Sequence, residues 1–324
     1  MHRSVVFFAI LAACTPPKTG PAATTPKSWL VGDNGAMLST TGSGDTHARP
    51  HLTESTLNGL AAADPYTAWA VGDAGQILFT TDSGAHWLPQ ISGTSVALYA
   101  VSFSNAQHGV AAGEAGTLLE TNDAGAHWQR VATGEARAYR AIALSTSSGE
   151  GVAVGDGGLV SWTSDGGRTF SPHPSAGTAM LTGVAINEDD VALAVGRGGA
   201  AYRIARAEVQ PLSWALSSTH DLMAVRFMPD GDHAVAVGAQ GTVVLSQLSL
   251  GAVSLATVAS AEDLYAVAVF GDGLSATYDE GAVGILAAGA NGAIVYAATA
   301  SSSFDVVPSH TSATIRSVDA LNSD

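Results

Sequence analysis

Residues 69–87 read Trp69-Ala-Val-Gly-Asp-Ala-Gly-Gln-Ile-Leu-Phe-Thr-Thr-Asp-Ser-Gly-Ala-His-Trp87. Two short apolar runs are joined by Gly72-Asp73-Ala-Gly75 and followed by Thr80-Thr-Asp82-Ser-Gly84-Ala-His-Trp87. Apolar runs this short between glycine-rich turns are strands rather than helices. Asp73-Ala-Gly suits a tight hairpin whose central residues take positive φ.

The same unit recurs along the chain. The first glycines of the Gly-x-x-Gly turns are Gly32, Gly72, Gly113, Gly155, Gly196, Gly238 and Gly289, with steps of 40, 41, 42, 41, 42 and 51. A second mark lies upstream of most turns: Leu57-Asn-Gly-Leu, Leu98-Tyr-Ala-Val, Tyr139-Arg-Ala-Ile, Leu181-Thr-Gly-Val, Leu222-Met-Ala-Val, Leu264-Tyr-Ala-Val and Ile315-Arg-Ser-Val. Each mark occurs seven times, out of phase. The first turn lacks the upstream segment, and the last segment lacks a turn. In the third unit the expected strands are 98–104, 109–113, 117–121 and 128–132.

Four antiparallel strands in about 40 residues make one propeller blade. The reading is all-β: a seven-bladed β-propeller over 28–324, closed by strand 315–320 pairing in the blade that residues 28–53 begin. Closure removes an exposed sheet edge. Two uncharged stretches, 241–261 and 281–304, carry the same glycines and alternation, so they read as blade strands and not as membrane spans.

The eight-residue segment ending at Trp87 has counterparts in Thr121-Asn-Asp123-Ala-Gly125-Ala-His-Trp128 and Thr163-Ser-Asp165-Gly-Gly167-Arg-Thr-Phe170. This is the Asp-box, and the longer unit resembles the repeats of the photosystem II stability and assembly factor family and the wider BNR/sialidase-type propellers. The box is degenerate at Thr40–Gly44 and absent from blades five to seven. Asp82, Asp123 and Asp165 are expected to accept hydrogen bonds from turn amides, Gly84, Gly125 and Gly167 to take conformations other residues resist, and Trp87, Trp128 and Phe170 to pack between sheets. The resemblance implies a noncatalytic assembly or docking role. A sialidase would need an Arg-Ile-Pro motif near the N-terminus. The nearest match, Tyr202-Arg203-Ile204-Ala205, lies in blade five and lacks the proline. A glycan-binding or glycan-cleaving propeller is the alternative reading.

Hydrophobic residues make up 46% and charged residues 13% of the 324 residues, with a formal net charge of −15. The only lysines are Lys18 and Lys27, ahead of the repeats. A chain this poor in cations does not suit nucleic acid. The N-terminus has Arg3, an apolar run from Val5 to Ala13 too short to span a bilayer, and Leu11-Ala-Ala-Cys14, which resembles the bacterial lipobox. Cys14 is the only cysteine. The expectation is a signal peptide over 1–13, lipid attachment at Cys14, a Pro/Thr-rich tether over 14–27, and an exported, envelope-anchored monomer. Thr15 in place of Asp favours the outer membrane by analogy.

No nucleophile elbow, zinc-protease motif or phosphate loop is present, and no cofactor or metal is implied. His86 and His127 occupy equivalent places in neighbouring blades and read as exposed turn residues. The residue after each first glycine is Asp33, Asp73, Glu114, Asp156, Arg197, Ala239 and Ala290. Four consecutive carboxylates on one face are expected to form an acidic arc able to meet a cationic partner or ion, the expected partner being an envelope protein. The longest step carries an insertion containing Tyr278, Asp279 and Glu280, a second candidate partner-binding element.

Overall fold

The computed structural model describes residues 28–40, 46–49, 53–206, 208–212, 220–249, 251–258, 260–270, 283–298 and 303–320. The expectations for Cys14 and the tether, for the degenerate box around Gly42 and Gly44, and for Tyr278, Asp279 and Glu280 fall outside these residues.

Seven antiparallel sheets are present, each led by one of the upstream segments. The inner strands are Leu57–Ala62, Leu98–Phe103, Tyr139–Leu144, Leu181–Ile186, Leu222–Phe227, Leu264–Phe270 and Ile315–Ala320. Each contacts the inner strands on either side, and Ile315–Ala320 touches both Leu264–Phe270 and Leu57–Ala62, completing the ring. The two ends of the domain meet as expected: Ile315–Ala320 pairs antiparallel with Ser28–Gly32, with Trp29 opposite Asp319 and Leu30 opposite Val318. In the third blade the strands are Leu98–Phe103, Gly109–Gly113, Thr117–Thr121 and Gln129–Arg130. The outer strand is shorter than expected because Trp128 belongs to the Asp-box turn. Blade seven has a fifth strand, where Thr257–Val258 from the preceding connection pairs parallel with Ser303–Val306. No helix among the described residues is long and apolar enough to cross a membrane. The two uncharged stretches contain strands Val243–Gln247, Ala252–Leu255, Gly284–Gly289 and Ile294–Ala297.

The composition follows from the packing. A blade is covered on both faces by its neighbours, so its second strand is apolar throughout instead of alternating. Ala68–Gly72, Gly109–Gly113 and Gly151–Gly155 are buried at every position. The buried side chains form seven clusters, one at each interface between blades. Trp29, Val31 and Met37 of blade one meet Leu57, Leu60, Leu78 and Trp87 of blade two. Leu30 and Leu38 meet Leu286, Ile294, Ile315 and Val318 at the closing interface.

Each Gly-x-x-Gly turn is a hairpin with two central residues at positive φ: Asn34 and Gly35, Ala74 and Gly75, Ala115 and Gly116, and so on to Asn291 and Gly292. The inner strand of every blade shares one irregularity of register near its start: the second residue of the motif has no partner on the second strand. The first glycine of the turn is needed there. A Cβ on Gly72 would lie 2.2 Å from the Thr56 carbonyl oxygen, and one on Gly155 would lie 2.0 Å from that of Ala138. In each case the next residue's amide donates to that carbonyl, Asp73 to Thr56 and Asp156 to Ala138.

Gly155→Ala forces this crossing apart and is expected to destabilise the propeller by about 1–3 kcal/mol. Urea unfolding measures it, and an unchanged midpoint would remove the crossing from the account of the fold.

Candidate functional site

Antiparallel topology puts the hairpin turns and the connections between blades on one face of the disc. The loops between first and second strands share the other face with the Asp-box turns. Main-chain hydrogen bonds mark both faces: Asp33 donates to Thr314 on the first, and Ser83 donates to Tyr66 on the second.

Each Asp-box is held by hydrogen bonds within its own turn. Asp123 Oδ1 accepts from the Thr121 hydroxyl at 2.9 Å and from the His127 amide at 2.9 Å, and the Gly125 amide donates to Thr121 Oγ1 at 2.8 Å. Asp82 and Asp165 repeat the pattern with Thr80 and Thr163. Gly84, Gly125 and Gly167 all have positive φ, from 68° to 97°. Trp87 meets Trp29 edge to face with centroids 6.0 Å apart, and Phe170 packs with Val110 and Leu118 of the preceding blade. His86 and His127 are exposed, and each bonds through Nδ1 to the carboxylate of its own box. Among the described residues no three His, Cys, Asp or Glu side chains gather as a metal site. Tyr202–Ala205 lie in the third strand of blade five.

The turn face carries the more varied chemistry. The register irregularity releases the second residue of each inner strand from pairing and turns it to the mouth of the central channel, the re-aiming for which bulges are used. Asn58, Tyr99, Arg140, Thr182, Met223, Tyr265 and Arg316 line this mouth, a cavity of about 130 Å³. The four carboxylates of the arc each engage one of them. Asp33 accepts from Arg316 Nε, Asp73 from Asn58 Nδ2 at 3.0 Å, and Glu114 from the Tyr99 hydroxyl at 2.7 Å. Asp156 accepts from Arg140 Nε and Nη2 at 2.8 and 3.2 Å. The Arg140 guanidinium lies over the Tyr99 ring at 4.5 Å. Burial and the hydrogen bond to Glu114 push the Tyr99 hydroxyl up to about 12. Asp73 and Glu114 are exposed, and Asp33 and Asp156 are half-buried.

Two carboxylates on this face escaped the sequence reading. Where the turns carry Arg197 and Ala239, Asp221 accepts from the Gly198 amide and Asp263 from the Gln240 amide, both at 2.8 Å. They precede an inner strand instead of opening a turn, so turn spacing gives no sign of them. Their place just before Leu222 and Leu264 is the signal in the sequence. The rim holds another feature that the spacing did not reveal, a groove of about 420 Å³ lined by Glu120, Arg130 and Arg168 between blades three and four.

This architecture defines an Asp-box β-propeller. The sequence model for the photosynthesis system II assembly factor YCF48 matches residues 90–174, the stretch that holds blades three and four. No curated protein matches the chain in sequence. Among solved structures, YCF48 bound to D1 peptide is 19% identical with a TM-score of 0.56, covering 72% of this chain and 81% of that one. YCF48 from Cyanidioschyzon merolae is 18% identical with a TM-score of 0.61, covering 82% and 88%. The WD40 propeller domain of Doa1 is 13% identical with a TM-score of 0.62, covering 82% and 86%. The chain is therefore a β-propeller in fold, and over 90–174 its repeats are similar in sequence to those of YCF48.

The His127 side chain and amide hold the Asp123 carboxyl down at about 2. A carboxyl with a lowered folded-state pKa contributes stability above its unfolded value near 4, and loses it as pH falls toward 2. Asp123→Asn is expected to flatten the acid limb of the stability profile between about pH 4 and 2. Thermal melts across that window measure it, and an unchanged slope would show the pair contributes nothing.

Proposed function

We propose that this chain is a noncatalytic docking propeller, exported and held at the bacterial envelope by lipid on Cys14, with its turn face offered to a partner protein. The observation that carries the reading is the ring of fixed carboxylates on that face. Asp33, Asp73, Glu114 and Asp156 are each held by an inner-strand side chain, and none is spent on its own turn's main chain. Asp221 and Asp263 extend the ring. Asp73 and Glu114, exposed and held by neutral groups, offer ordered and uncompensated charge to a cationic partner segment, while Asp33 and Asp156 share theirs with Arg316 and Arg140. The presence among similar folds of YCF48 bound to D1 peptide supports a polypeptide as the ligand type. The insertion with Tyr278, Asp279 and Glu280 is a second proposed partner contact. Cys14 and the tether would hold the disc off the bilayer.

The test compares the full chain with a variant carrying D33N, D73N, E114Q and D156N, crosslinked in the native host. Amides keep the turn geometry and remove the charge. The variant is expected to lose partner capture by about tenfold, and capture by the unaltered chain is expected to fall with salt. Equal capture by a folded variant would leave the carboxylates with a local role only. In a separate experiment, Cys14→Ser is expected to move the protein from the membrane to the soluble fraction. Retention at the membrane would refute the lipid anchor.

A further inference from the structure

Repeat equivalence exposes a departure inside the channel. The fifth residue of each inner strand is Ala at four blades, Ser102 at a fifth, and Arg226 and Asp319 at the remaining two. The small residues sit where sheets converge. The two charged ones line a cavity of about 200 Å³ in the half of the channel nearer the Asp-box face. The rest of its lining comes from the inner strands around Leu60, Val101, Ile142 and Val184, whose side chains are buried between the blades. Arg226 also lines the half toward the turn face, so it stands near the midplane.

Part of the Asp319 carboxylate has a structural task. Its Oδ2 accepts from the Ala62 amide at 2.8 Å and ties the closing strand to blade two, much as Ser102 accepts from the Leu144 amide at 3.0 Å. Ser102 shows that a neutral hydroxyl meets this need, so the tie alone does not call for a charge. Burial pushes the Asp319 carboxyl up, against the pull of Arg226 and of the Ala62 and Ala320 amides. Among the described residues Arg226 has one hydrogen bond, from Nη1 to the Val225 carbonyl at 3.1 Å, and no ion pair within 4 Å. A guanidinium carries five N–H donors, and this one lines the cavity with one protein hydrogen bond among the described residues.

We propose that this half of the channel binds an α-carboxylate with an adjacent N–H, the carboxylate on Arg226 and the N–H on Asp319. Planar, charge-assisted pairing to guanidinium is the chemistry that suits a carboxylate. The group belongs either to a free amino acid or to the last residue of a polypeptide entering from the Asp-box face. The site lies apart from the turn-face carboxylates and does not depend on the docking reading.

Calorimetric titration of the full chain with L-leucine, N-acetyl-glycyl-leucine and the C-terminal amide of that peptide tests the proposal. At least one free carboxylate is expected to bind and the amide not to. Arg226→Gln is expected to weaken binding by about tenfold or more. Asp319→Asn keeps an oxygen for the Ala62 amide and is expected to weaken the zwitterionic leucine more than the acetylated peptide. Binding by leucine alone identifies a free amino acid as the source, and binding by the peptide identifies a chain end. No binding at millimolar concentration, equal binding of acid and amide, or full affinity in Arg226→Gln would each overturn the proposal. The comparison of acid with amide needs no variant, so it decides the matter even if Arg226→Gln does not fold.

Discussion

In every blade, the carbonyl oxygen just before the inner strand rests against the Cα of the first turn glycine, where any other residue would place its Cβ. The amide of the following residue donates to that oxygen, at distances between 2.8 and 3.1 Å around the ring. This crossing brings the incoming connection onto the hairpin turn and sets where the inner strand starts. The second glycine plays a matching part: a Cβ on Gly75 would lie 2.2 Å from the Thr94 carbonyl oxygen. The turn thus fixes the connection as well as reversing the chain, which explains why Gly-x-x-Gly is more regular along the sequence than the outer strands are.

Two consequences follow from the crossing. It leaves the second residue of the inner strand unpaired, so each blade delivers one side chain to the channel mouth at no cost to its apolar faces. It also puts the residue after the first glycine beside that side chain. Asp33 with Arg316, Asp73 with Asn58, Glu114 with Tyr99 and Asp156 with Arg140 are products of this geometry. The two charge pairs among them, Asp33 with Arg316 and Asp156 with Arg140, are partly open to solvent, and such pairs add little to stability. Their effect is to hold charge in fixed positions on an otherwise turn-built face.

The opposite face is organised by packing. Each Asp-box closes an outer hairpin and presses its aromatic residue against the preceding blade. The turn of blade three is clasped from blade two, since Trp69 Nε1 and Gln90 Nε2 both donate to the Ala124 carbonyl and Trp128 Nε1 donates to Gln90 Oε1. Blades five to seven lack the box. In blade six, Asp232 from the loop between first and second strands accepts from the Ser249 amide and hydroxyl instead. A different carboxylate thus braces the outer turn without leaving the Asp-box signature.

The number of blades, the turn positions and the meeting of the chain ends were all legible in the sequence, because glycine is demanded wherever backbone crosses backbone and the spacing of those crossings is the spacing of blades. The Asp-box roles were legible for the same reason, since their hydrogen bonds span only a few residues. What the sequence left open depends on contacts between distant segments. The partners of the turn carboxylates lie in inner strands, and for Asp33 that partner is Arg316, at the other end of the domain. Asp221 and Asp263 join the same face from a different place in the repeat. Arg226 and Asp319 read as ordinary strand residues until ring closure brings both to one cavity. Local backbone constraints repeat and can be counted along a chain, whereas the convergence of seven strands on one axis exists only once the ring has closed.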